Sequence, residues 1–134
     1  MQRHRSSGRI RGRKAFTLIE LLVVVLILAI LMAVSIPLYL SAIADAQKKT
    51  CRANMQTIAV AVHAARVKAL QANFSTIIAG GVSTASLPDL TTVPLCPTGG
   101  VYNLSNGSSG SATTFKVSCS VSAHGTFEPG IDSY

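Results

Sequence analysis

The chain is poor in charge, in acids and in aromatic side chains. Tryptophan is absent, Phe and Tyr together supply 5% of the residues, and charged side chains only 13%. Between residues 21 and 44, "LLVVVLILAILMAVSIPLYLSAIA", charge is missing altogether, as are Asn and Gln. A soluble core helix can be this apolar, but the rest of this short chain could hardly enclose it. Twenty-four such residues exceed the roughly 20 that span a bilayer as a helix. Cysteine is sparse too: Cys51, Cys96 and Cys119 include no Cys-x-x-Cys pair, and His4, His63 and His124 are scattered. Nothing in these spacings announces a metal site. No Ser-His-Asp or Cys-His-Asn arrangement has local support, since Cys51 and His63 fall on different faces of a helix. No catalytic residue, metal or cofactor is therefore expected, and the chain does not read as an enzyme.

The excess of positive charge lies in one place. The formal net charge is +7, yet Arg3, Arg5, Arg9, Arg11, Arg13 and Lys14 all precede the apolar run. Residues 16–134 carry six basic against five acidic side chains, so the body of the protein is nearly neutral. That distribution gives no support to nucleic-acid binding. A basic block flanking a hydrophobic helix is expected to stay cytoplasmic, which sends the C-terminal part across the membrane.

Four zones follow from composition: a basic leader at 1–15, an apolar helix at 16–44, an Ala-rich helical continuation at 45–73, and a Gly/Ser/Thr-rich region at 74–134. The last holds eight of the ten Gly and four of the five Pro, and reads as short strands and loops. No turn signal separates the second zone from the third. Pro37 alone interrupts, and it should kink or loosen the helix because it removes a backbone hydrogen bond and crowds the preceding turn. Beyond it, Cys51, Met55, Ile58, Val62, Ala65, Ala69 and Ala72 recur at spacings of four and three, one face of a helix. A single helix over 16–73 would be roughly 85 Å long at about 1.5 Å per residue.

The sheet that this face needs can be partly located. Phe115, Val117, Cys119 and Val121 alternate with polar neighbours, the pattern of a half-buried strand. "GGVYNL" at 99–104 is the expected partner across a hairpin loop containing Asn106-Gly107, and "GTFE" at 125–128 is a weaker third strand. The fold class expected is α+β: a long N-terminal helix packed by its second half on a small antiparallel sheet. Cys96 and Cys119 flank the hairpin with 22 residues between them. A disulfide there would constrain the unfolded loop by about 3 kcal/mol; the alternative is two buried free thiols. Cys51, on the apolar stripe, reads as core packing, and His63 as an amphipathic surface residue. Asp89, Glu128 and Asp132 could offer oxygens to calcium, but without Asp-x-Asp spacing they read as ordinary surface charge.

Two processing routes compete at the N-terminus. A secretory signal would end at a small-x-small site such as Ala42-x-Ala44, releasing a soluble domain from Asp45, but its apolar segment should be shorter and free of acid. The other route cuts before the apolar run. "KAFTLIELLVVVLILAILMAVSIP" closely resembles the class III signal of type IV prepilins and type II secretion pseudopilins. The resemblance implies cleavage by a prepilin peptidase between Ala15 and Phe16, N-methylation of Phe16, and an assembly role for Glu20. Pro37 matches a proline common in these helices. The family usually has Gly where this chain has Ala15. "TCRANMQTIAVAVHAARVKA" and "LPDLTTVPLCPTGGVYN…FKVSCSVSAHG" look, more loosely, like the second helix half and compact C-terminal domain of some Gram-positive-type pilin-like proteins, a likeness that supports the Cys96–Cys119 pairing.

The resemblance implies a structural subunit of a type IV pilus-like filament, a homo-oligomer assembled through its N-terminal helix by pilus or secretion machinery. Its place would be the cytoplasmic membrane, single-pass with the N-terminus inside, and then the cell surface. A pseudopilin of a type II secretion system carries the same signal, and a non-polymerising membrane-anchored surface protein is a further alternative.

Overall fold

The computed structural model describes residues 16–132. The basic leader, including Ala15, lies outside the described residues. The chain divides near residue 40 into two units. Its elements are helix α1 (Leu18–Lys68), helix α2 (Ser75–Gly80), strands β1 (Tyr102–Asn106) and β2 (Phe115–Cys119), a 3-10 turn at Ser122–His124, and strand β3 (Thr126–Phe127). The layout is α+β: a long N-terminal helix followed by a small antiparallel sheet.

In the first unit every large apolar side chain from Leu18 to Tyr39 is exposed. Helix α1 continues through Pro37, whose ring removes one backbone donor. Two residues earlier the Ser35 hydroxyl donates to the Leu31 carbonyl at 2.8 Å, a bond that also loosens helical geometry. This stretch is apolar all round, the condition of a helix whose partner is lipid or another chain.

In the second unit α1 buries one stripe: Cys51, Met55, Ile58, Ala59, Val62 and Ala65. Against it sit Phe74, Ile77, Leu87, Phe115, Val117 and Phe127, in one continuous core. The sheet order is β1-β2-β3, with Tyr102 opposite Cys119 and Val117 opposite Phe127. Strand β2 buries Phe115, Val117 and Cys119 in strict alternation, as the period of two requires. The strand ends at Cys119, and Val121 caps the 3-10 turn instead. Phe74 and Phe115 meet at 4.7 Å between ring centroids. The His63 ring lies edge-on to both, at 5.3 and 5.1 Å, and the Arg66 guanidinium lies 4.7 Å over Phe74.

Helix α1 stops earlier than the stripe implied. Leu70 takes a left-handed conformation, φ 51°. Its N–H bonds to the Val67 carbonyl and that of Gln71 to the Arg66 carbonyl, each at 3.1 Å, which is the Schellman termination. Ala69 and Ala72 therefore leave the stripe and are exposed. Helix α2 was not expected at all. It follows an Asx turn in which Asn73 Oδ1 accepts from the Ser75 N–H and hydroxyl, and it places Ile77 in the core.

Candidate functional site

Two constellations bear on function, one in each unit. The first is the start of α1. Phe16 is 86% exposed. The Thr17 N–H and hydroxyl both donate to Glu20 Oε2 at 2.8 Å, and the Glu20 N–H returns a bond to Thr17 Oγ1 at 3.3 Å. This is a reciprocal capping box: two orphan donors at the helix start are satisfied by one Thr-x-x-Glu pair. Glu20 thus has a role inside its own chain that the apolar setting had hidden, though the Thr-x-x-Glu spacing was legible in the sequence. Both bonds that Glu20 accepts fall on Oε2. Ala15, the residue on the leader side of the expected cut, lies outside the described residues.

The second constellation is in the globular unit. Cys96 Sγ and Cys119 Sγ lie 3.7 Å apart, and all three thiols are free in this structure. The pair is brought together as the hairpin spacing suggested, and two further groups join it. Cys51, from helix α1, and His124, from the 3-10 turn, place their ligating atoms so that all four atoms lie within 4.8 Å of one another. His124 Nδ1 is 3.3 Å from Cys96 Sγ and 3.7 Å from Cys119 Sγ. Sequence reasoning missed this cluster, because its members come from a helix, a turn, a strand end and a 3-10 turn.

The backbone around Cys96 is shaped for the sulfur. Residues 96–100, Cys-Pro-Thr-Gly-Gly, form a tight turn in which Gly99 N–H bonds to the Cys96 carbonyl at 2.9 Å and Gly99 holds φ 81°. A Cβ on Gly100 would lie 2.7 Å from Cys119 Sγ and 3.3 Å from Cys96 Sγ, so only glycine lets the chain pass. Burial opposes ionisation of the Cys96 thiol, but bonds from the Thr98 hydroxyl and the Thr98 and Gly100 N–H groups outweigh it and bring the thiol down to about 6. Cys51 is the opposite case: burial, against a bond from Tyr102, pushes it up to about 12. Asn54 Nδ2 donates to Tyr102 Oη at 3.1 Å and to the Leu95 carbonyl at 3.0 Å. With its oxygen so engaged, Tyr102 turns its own proton toward Cys51 Sγ, 3.5 Å away.

The three acids considered for calcium are each occupied elsewhere. Asp89 pairs with Lys68. Glu128 accepts from the Ser108 N–H at 2.8 Å, and its own N–H donates to Asp132 at 2.7 Å. His63 is exposed, as the amphipathic reading has it, but its ring is part of the aromatic group around Phe74.

Comparison with known families identifies residues 10–36 as a prokaryotic N-terminal methylation motif. This is the class III signal peptide of type IV pilin-like proteins, and it supports a type IV pilin-like or pseudopilin precursor. The motif implies processing by prepilin peptidase and handling by pilus assembly machinery. No curated protein and no solved structure gives a significant match.

Proposed function

We propose that the mature chain is a structural subunit of a type IV pilus-like filament, cut between Ala15 and Phe16, methylated on Phe16 and polymerised through the apolar part of α1. The observation that carries the reading is the conjunction of a methylation motif with a helix surface exposed on all sides from Leu18 to Leu40. Such a surface is at home in lipid. In a filament it would face other helices, so assembly exchanges one apolar environment for another. Glu20 supplies register: its Oε1, outside the capping box, accepts from the Phe16 α-ammonium of a neighbouring subunit. A polar pair in an apolar seam fixes alignment more than it adds stability. The cationic partner exists only after the leader is cut, which couples processing to polymerisation. Pro37, with Ser35, lets the helix loosen as subunits pack. The role is structural rather than catalytic.

Before cleavage the N-terminus lies in the cytoplasm and the globular unit outside. The test is the fate of the mature chain. Mechanical shearing of cells should release filaments composed of it. Retention of all the mature protein in the membrane fraction, with none sheared, would instead fit an anchored monomer. Filaments confined to the periplasm or cell wall would fit a pseudopilin.

A further inference from the structure

Helix α1, the Cys96 turn, the end of β2 and the 3-10 turn send four metal-binding groups to one buried point. All three cysteines of the chain are used, with one of its three histidines. We infer that Cys51, Cys96, Cys119 and His124 form a structural zinc site of Cys3His type, with His124 bound through Nδ1. The proposal stands independently of the filament reading, since it concerns only the globular unit.

Geometry carries it. A tetrahedral zinc with Zn–S about 2.3 Å and Zn–N about 2.0–2.1 Å sets its sulfurs roughly 3.75 Å apart and the nitrogen roughly 3.5–3.6 Å from each. Cys96 and Cys119 are 3.7 Å apart, and His124 Nδ1 is 3.3 and 3.7 Å from them. Cys51 Sγ lies within 4.8 Å of the other three atoms, so closing it to the same edge takes a shift of at most about 1 Å. A Cys96–Cys119 disulfide would use two of the four groups and leave Cys51 and His124 gathered around it without a role.

Burial and the surrounding donors agree. The four side chains are 0, 5, 8 and 9% exposed in the order Cys51, Cys96, Cys119 and His124. That is a closed site, as structural zinc requires, with no position left for water or substrate. Three thiolates around Zn²⁺ leave one net negative charge to be stabilised in the interior. The Thr98 hydroxyl lies 3.3 Å from Cys96 Sγ, and Tyr102, oriented by Asn54, points at Cys51. Such donors fix the ligands and lower the cost of the anionic thiolates. A helix of small side chains, without tryptophan behind it, would then be clipped to its sheet by metal.

The full mature chain, purified in detergent, gives the test. One zinc per chain is expected by elemental mass spectrometry. All three thiols should resist alkylation until a chelator is added, and Co²⁺ exchange should give the visible absorption of a tetrahedral thiolate site. C51S and H124A should each weaken zinc, measured by competition with a chromophoric chelator, by more than the roughly 10- to 100-fold that loss of a supporting partner brings. Y102F, which keeps every ligand, should fall within that smaller range. The proposal is overturned if the wild-type chain is metal-free with Cys96 and Cys119 oxidised, two hydrogens lighter, and Cys51 alkylated with or without chelator. It is equally overturned if the bound metal is iron or copper, or if C51S binds zinc as tightly as the wild type. Should C51S fail to fold, the metal content and thiol protection of the wild type decide alone.

Discussion

Helix α1 reads as two helices written end to end. Its first half is Leu, Val and Ile on every side, and it buries none of them; its second half alternates Ala, Met, Ile and Val with Lys, Arg, Gln and Thr, and buries one stripe. The difference is one of partners. A stripe with a polar back is matched to one sheet in water, whereas an unbroken apolar surface has no preferred side and needs an environment that is apolar all round. The two halves accordingly answer to different measurements, folding for one and membrane residence or assembly for the other.

Paired substitutions can break that division. Phe115→Ala removes a fully buried ring from the core and should destabilise the globular unit by about 3–5 kcal/mol, seen in chemical denaturation of the detergent-solubilised chain. Leu28→Ala, in the exposed half, should leave the same unfolding curve unchanged and act, if at all, on filament yield. A large stability loss from Leu28→Ala would mean that the first half is not the independent surface described.

Glu20→Gln separates the two roles of that residue. Gln serves the capping box as Glu does, so helix content should hold while the charge is lost. Filaments should disappear with membrane insertion intact. Filament yield equal to wild type would leave Glu20 a cap and nothing more.

At the end of α1, inside the globular unit, Leu70→Gly relieves a left-handed residue whose Cβ costs about 1–2 kcal/mol. Part of this is offset by the freer unfolded chain, so a net gain of about 0.5–1 kcal/mol is expected in the same denaturation assay.

The smallest effect is a pH dependence. Partial desolvation of a ring packed edge-on to Phe74 and Phe115, then the nearby Arg66 charge, lowers the His63 pKa below its ordinary 6.5. The folded state therefore binds fewer protons than the unfolded one, and stability rises with pH in this window. It is fully present above about 6.5, falls as pH drops toward the depressed folded value, and levels off below it. The melting temperature of His63→Gln should show less of this slope than wild type; an equal slope would assign it to other groups.

Much of this was legible in the residues. Alternation placed β2 and its partner, and Asn106-Gly107 lay at the start of the connecting loop, because strand pairing across a short hairpin is a local event. The helix face from Cys51 to Ala65 was legible for the same reason. Its end was not: nothing about leucine announces a left-handed φ, and the Schellman bonds at Arg66 and Val67 form only when the chain turns away. Helix α2 was hidden among Gly and Ser. The Cys-His cluster was hidden more deeply, since Cys51 reaches it only after the helix has docked on the sheet. The hairpin spacing of Cys96 and Cys119 pointed to half of that cluster and could not show the other half.

The most direct test of the whole account is the intact mass of the mature protein, with its N-terminal residue sequenced. A chain beginning at N-methylated Phe16, its apolar helix retained, is the predicted result. A chain beginning at unmethylated Asp45, the helix removed with the leader, would contradict it.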